Sequence, residues 1–299
     1  MARTGVKPVA LRAAEFAECL PSDQDVAFYQ QHGYYISRKI LPDDVLDAAE
    51  RGMERFYAGD HDAPMIERDQ VVPPGWKPPA GFMPPIGSAL RKNDYASFQV
   101  KELGALVRYP TIGAVAKRLT GSPSIRLWHD QLLYKPPVAE AAAAKVGWHT
   151  DRQYWMVASS DDMLTAWVAF HDVDETTGTI TFIDGSHRWP LNRLDFFDPD
   201  LDALEQRFET GGNKVVKVPA VMKRGQVSFH HCRLIHGSGA NLSAAPRRAI
   251  AIHLQPEDNH YRHYEYGEGR VAAHQNDQLC RLVDGIPDYS DPRVCPRLA

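Results

Sequence analysis

The chain has 299 residues, 43% apolar and 24% charged, with a formal net charge of −4. That balance suits a soluble globular protein with a sizeable core. Charges of both signs are interspersed, which argues against a nucleic-acid or anionic-membrane partner, and no apolar run approaches the roughly 20 residues that cross a bilayer.

In chain order, an amino-terminal arm comes first, expected to be loose through about Pro21; with Glu15 and Glu18 and no continuous apolar stretch, it does not read as a secretory signal. Ser22 is placed to cap a helix over Asp23 to Gln31, with Asp25 standing in for the usual Glu of a capping box, and Gly33 ends it. Tyr34 to Ser37 reads as a short strand. Pro42-Asp43-Asp44 opens a second helix to about Tyr57, apolar at Val45, Leu46, Ala49, Met53 and Phe56. From His61 to Gly87 the chain is dense in proline, with Trp76, Phe82 and Met83 between, and a segment of this kind is either a functional lid or a disordered loop. Helices are expected around Lys101 to Val107 and Ile112 to Leu119.

After Gly121 the texture changes to short β-rich runs: Ser124 to Tyr134, Met163 to His171, Thr179 to Ile183, Val215 to Pro219, Gln226 to Phe229 and Ala249 to Leu254. Such strands predict an antiparallel sandwich or barrel, mainly β with flanking helices, of the jelly-roll kind. Ala139 to Lys145 reads as a loop or single helical turn, and Pro199 to Phe208 as a helix with Leu201, Leu204 and Phe208 at helical spacing. The tail from about Tyr261 is polar and shows no clear pattern. Cys19, Cys232, Cys280 and Cys295 lack C-x-x-C spacing and are too sparse for a disulfide scaffold, so a reduced cytoplasmic protein is expected.

The chemistry concentrates in Gly147-Trp148-His149-Thr150-Asp151 and in a later His236-Gly237-Ser238. Side chains two apart on a strand share a face, so His149 and Asp151 can close on one ion, with His236 arriving from another strand. Two imidazoles and a carboxylate with open positions are the ligand set of non-haem Fe(II) sites that also hold a co-substrate and O2. Arg247 strengthens this reading, since a 2-oxo acid needs a guanidinium fork for its far carboxylate. A lone histidine is usually structural, and His129, His171, His187, His230, His231 and His253 are left in that group. Tyr154, Trp155, His231 and Arg233, with Phe82 and Met83 from the proline-rich segment, are the substrate-pocket candidates; this mix suits a medium-sized, partly polar organic molecule.

These motifs, together with Ala166-Trp167, Thr177-Gly178-Thr179, Gly185-Ser186-His187 and the run from His236 through Arg247, resemble the phytanoyl-CoA dioxygenase family over roughly residues 22–256. The resemblance implies a double-stranded β-helix and an Fe(II)- and 2-oxoglutarate-dependent oxygenase. It implies iron ligands at His149, Asp151 and His236, and a co-substrate anchor at Arg247, with Arg248, facing the opposite side, disfavoured. It further places Trp167, Ser238 and Gln131 beside the co-substrate. Where family members often carry Gln after the first ligand, this chain has Thr150. The expected organisation is one catalytic domain: an arm to residue 21, a helical region 22–120 with the loop or lid at 61–87, a core 121–256 and a tail 257–299. The implied reaction is oxidation, most simply hydroxylation, of a C–H bond of a small organic or natural-product substrate with O2, releasing succinate and CO2. Asp151 disfavours halogenation, which needs that position vacated; desaturation, epimerisation, ring formation and peroxidation share the triad. A zinc hydrolase or isomerase on a jelly roll, and a non-catalytic binding module, remain as alternatives.

Overall fold

The computed structural model describes residues 13–65, 90–138, 144–190, 206, 208, 212–267 and 269–299. The expected arm contains helix α1 (Ala13–Glu18), after which Cys19 and Leu20 pack against the core, so apolar burial ties this part of the arm down. Helix α2 (Asp23–His32) starts as its sequence asks: the Ser22 hydroxyl accepts from Asp25 N–H, and Asp25 Oδ2 accepts from Ser22 N–H at 2.8 Å. Gly33 closes it in the left-handed region at φ 80°, where a Cβ would also sit 2.4 Å from His187 Nδ1. Strand β1 (Tyr34–Ile36) and helix α3 (Asp43–Tyr57) follow, and α3 buries Leu46, Ala49, Met53 and Phe56. Strand β2 (Arg91–Asp94), unmarked by any apolar alternation, precedes helices α4 (Ala96–Gln99), α5 (Lys101–Val107) and α6 (Pro110–Thr120).

The β-rich half comprises β3 (Ile125–Lys135), β4 (Val146–His149), β5 (Leu164–Ala169), β6 (Thr181–Ile183), β7 (Lys217–Pro219), β8 (Val227–His231), β9 (His236–Ser238) and β10 (Arg247–Pro256). They form two antiparallel sheets, a major one ordered β1-β8-β5-β10-β3-β2 and a minor one ordered β4-β9-β6-β7. This is the expected jelly roll. Alternation divides β10: Ile250, Ile252 and Leu254 enter the core shared with the helices, whereas Arg247, Ala251 and His253 line an internal cavity. In β3 the alternation is reset by a bulge. His129 pairs with His253 and Leu127 with Leu254, leaving Trp128 unpaired; Leu127 therefore faces the helices while His129, Gln131 and Leu133 face inward.

The polar tail packs against the barrel. Trp128 stacks on His274 at 4.5 Å and meets Tyr289 edge-on at 4.6 Å, while Asn276 donates to Trp128 O and accepts from Tyr95 Oη. Around them Ala272, Leu279, Cys280, Val294 and Cys295 form a second apolar cluster, and Leu298 N–H donates to Ile125 O at 2.8 Å. Beyond residue 65 the expected lid lies outside the described residues, and Phe82 and Met83 with it, as do 139–143 of the alanine-rich stretch and most of 199–208. Among the described residues, no helix is long and apolar enough to cross a membrane.

Candidate active site

His149 ends β4, and Asp151 does not continue the strand as expected but begins a 3-10 turn, Asp151–Tyr154. The turn still directs its carboxylate toward the imidazoles. His236 opens β9, which pairs with β4 so that His149 and His236 are directly opposite. One ligand atom from each of His149, Asp151 and His236 lies within 4.8 Å of the others, and all three side chains are buried. The two imidazole centroids are 4.2 Å apart, and His236 Nε2 is 3.7 Å from Asp151 Oδ1.

Both rings are held in the same way. His149 Nδ1 meets Gly147 O at 2.9 Å and His236 Nδ1 meets Leu234 O at 2.9 Å. A carbonyl only accepts, so Nδ1 carries the proton and, in the neutral ring, Nε2 keeps its lone pair. Burial holds these rings neutral: it pushes His149 down to about 4 and His236 well below its ordinary value. Burial works against ionisation of Asp151, yet its carboxyl is held below its usual range. Two lone pairs and one carboxylate oxygen converging in a buried pocket fit a divalent transition metal.

The triad sits in a cavity of about 340 Å³. One end is lined by Val146, Trp167, Ile180, Ser238 and Arg247. Arg247 is buried, its guanidinium carbon 5.3 Å from the Trp167 ring centre, and it donates to Gly178 O. Its Nε has no hydrogen-bond partner and, among the described residues, no carboxylate pairs with it; burial alone lowers its pKa to about 10. A buried cation held this way suits an incoming anion. Arg248 lies on the other face, its backbone N–H donating to His171 Nε2. Ser238 Oγ accepts from the buried Lys135 Nζ at 2.6 Å, which also donates to Gly239 O.

The rest of the lining includes Lys92, Asp94, His129, Gln131, Tyr154, Trp155, His253 and Ala273 to Gln275. Gln131 donates to Asp94 Oδ1 at 2.8 Å. Of the substrate-pocket candidates, Tyr154 and Trp155 line this cavity, whereas His231 and Arg233 are not among its lining residues. Strand alternation explains His231: its neighbour His230 points inward, so His231 faces out, against Tyr29, His187 and Asp162. Arg233 donates to Trp189 O and lies 3.7 Å from Asp161. Conversely, His129, His230 and His253, structural by default in the sequence, are cavity residues, and so are Lys92, Asp94 and Gln275, which no motif marks. His253 shares the parity of Arg247 along β10, a signal that was available.

A jelly roll with this triad defines a class: the protein is a non-haem iron, 2-oxoglutarate-dependent dioxygenase. Residues 29–249 match the sequence pattern of the phytanoyl-CoA dioxygenase family, and the chain belongs to that family. Peroxisomal phytanoyl-CoA dioxygenase of Rattus norvegicus is 26% identical over 252 residues, covering 78% of this chain and 68% of the relative. An ectoine dioxygenase of Bordetella bronchiseptica is 24% identical over 301 residues, covering 93% and 91%. Among solved structures, the alpha ketoglutarate dependent carbocyclase SnoK from nogalamycin biosynthesis has the same fold, with a TM-score of 0.68 at 24% identity and coverage of 93% and 97%. EctD from S. alaskensis, with 2-oxoglutarate and 5-hydroxyectoine, gives 0.65 at 21% identity, covering 92% and 87%.

Proposed function

We propose that the chain acts as one cytoplasmic catalytic domain that oxidises, most simply by hydroxylation, a C–H bond of a small, polar organic molecule. In this reading His149, Asp151 and His236 hold Fe(II), and Arg247, with Ser238, Trp167 and Gln131, holds 2-oxoglutarate. The observation that carries it is Arg247, a buried guanidinium without a carboxylate among the described residues, set in the same cavity as the triad. Bound iron with 2-oxoglutarate and O2 supplies oxidative decarboxylation to succinate and CO2, coupled to oxidation of the substrate.

The protein's own part is to bind, orient and exclude water. Fixed Nε2 lone pairs on His149 and His236 present ligands without reorganisation. The Arg247 fork grips a carboxylate bidentately and so aims the other end of the co-substrate at the triad. Across the triad, Asp94, His129, Gln275, Tyr154 and Trp155 offer hydrogen-bonding groups beside aromatic faces, which suits a compact polar molecule better than a long acyl chain. The near full-length likeness to an enzyme named for ectoine supports the same substrate class.

The test is succinate formation by purified protein with 2-oxoglutarate, O2 and Fe(II), using ectoine as the first probe. Turnover that requires Fe(II), is not supported by Zn(II) and is lost in Asp151→Ala is expected. Unimpaired turnover after iron is chelated would refute the reading.

A further inference from the structure

The register of the major sheet sets four polar residues in one row. His129 on β3 pairs with His253 on β10, His253 with Thr165 on β5, and Thr165 with His230 on β8. Three members of the row converge on a single oxygen. Asp151 Oδ2 accepts from Thr165 Oγ1 at 2.5 Å and lies 3.4 Å from His230 Nε2 and 3.8 Å from His253 Nδ1. The other oxygen, Oδ1, is the one facing His236 Nε2 at 3.7 Å. The two oxygens of one carboxylate therefore have different surroundings.

Proton counting fixes the direction of the chain of bonds. Thr165 Oγ1 also meets His253 Nδ1 at 2.7 Å. A hydroxyl has one proton, and here it goes to the carboxylate, which only accepts. His253 Nδ1 must then be the protonated nitrogen and donate to Oγ1, leaving the Nε2 lone pair of His253 as an acceptor. The donors thus run in one sense, from His253 through Thr165 to Asp151 Oδ2.

We propose that Thr165, oriented by His253, is a positioning residue that locks Asp151 with Oδ2 engaged by the sheet and Oδ1 alone presented to the metal. The inference rests on the reading of His149, Asp151 and His236 as the iron ligands. Its chemical purpose is coordination number. A carboxylate free to swing can chelate through both oxygens and occupy a position that co-substrate or O2 requires, whereas one already bonded through Oδ2 offers a single donor. Neither Thr165 nor His253 needs to touch a reacting atom.

The experiment replaces Thr165 and His253 in the full chain and measures Co(II) binding anaerobically by calorimetry together with the visible d–d spectrum, which reports coordination number. Thr165→Val keeps shape and loses only the hydroxyl, and is expected to weaken Co(II) binding by about 10- to 100-fold, the usual effect of removing a partner of a metal ligand, and to change the band intensity. Thr165→Ser restores the hydroxyl and is expected to restore both readouts. His253→Asn, whose amide can donate from near the Nδ1 position, is expected to retain them, and His253→Leu to lose them. Circular dichroism of each variant separates these effects from unfolding. Thr165→Val with wild-type affinity and spectrum overturns the proposal while leaving the triad assignment in place. Wild-type protein that binds no Co(II) overturns that assignment instead, and the positioning role with it.

Discussion

Replacing Arg247 by alanine removes the cation that, among the described residues, lines the cavity at its far end from Asp94 and Gln275. In the proposed complex the lost contact is a charge-assisted bidentate pair worth about 1.5–3 kcal/mol, which corresponds to a roughly 10- to 150-fold weaker 2-oxoglutarate affinity. Ligand-linked stability gives a second readout. At 2-oxoglutarate 100 times the wild-type Kd, bound co-substrate stabilises the metal-loaded wild type by about 2.7 kcal/mol, and a variant weakened 100-fold gains only about 0.4 kcal/mol. Because no carboxylate among the described residues pairs with Arg247, the metal-free variant should fall well short of the ~3–5 kcal/mol lost when one partner of a buried ion pair is removed. Arg247→Lys keeps the charge without the fork and should lie between. Denaturant unfolding, with and without co-substrate under anaerobic Fe(II), measures both quantities. Unchanged affinity, or a metal-free loss of ion-pair size, would refute the assignment of Arg247 as the anchor.

Further predictions bear on the scaffold and on the triad. Gly178→Ala forces a side chain into φ 65° with its Cβ 2.6 Å from Ala240 O, so it should cost at least ~1–2 kcal/mol in urea unfolding. Because Gly178 O accepts from Arg247, co-substrate affinity should fall as well; a variant matching wild type in both would contradict this. Asn276→Ala orphans Trp128 O and Tyr95 Oη, so a loss of about 1–3 kcal/mol for each buried group is expected by the same method. Burial, followed by the charges of His231, Arg188 and Arg233, pushes His187 down to about 4. Its folded value thus lies below the unfolded ~6.5, and the unfolded chain takes up the proton first, so its contribution is complete above about pH 6.5 and declines toward pH 4. His187→Gln should flatten the decline across that window. Asp151→Ala should abolish iron-supported turnover with an unchanged circular dichroism spectrum, and near-normal turnover would remove Asp151 from the site.

The triad was legible because its determinants are local: two residues apart on the chain for His149 and Asp151, and a following small-residue run and arginine for His236. Strand alternation likewise distinguished Arg247 from Arg248. What escaped was set by long-range register. Whether His129 faces the cavity depends on the unpaired Trp128, which inverts the alternation of β3, and such a bulge leaves no mark in hydrophobic periodicity. Lys92 and Asp94 lie on a strand of four polar or charged residues, Arg91–Asp94, whose partner is β3 rather than anything nearby in sequence. The tail reads as polar because its buried residues come singly or in pairs, without a strand or helix period. Ala272, Leu279, Cys280, Tyr289 and Val294 acquire meaning only against Trp128 and Trp155. Nearness in sequence to His236 does not bring His231 and Arg233 to the cavity, because His231 lies on the outer face of β8 and Arg233 in the turn between β8 and β9.

The most direct measurement is an anaerobic spectral titration of metal-free protein, first with Fe(II) and then with 2-oxoglutarate. The account predicts a visible charge-transfer band on the second addition, present in wild type, absent in Asp151→Ala and requiring far more 2-oxoglutarate in Arg247→Ala. Fe(II) bound by wild type without that band at saturating 2-oxoglutarate would contradict the central claim that triad and arginine form one site.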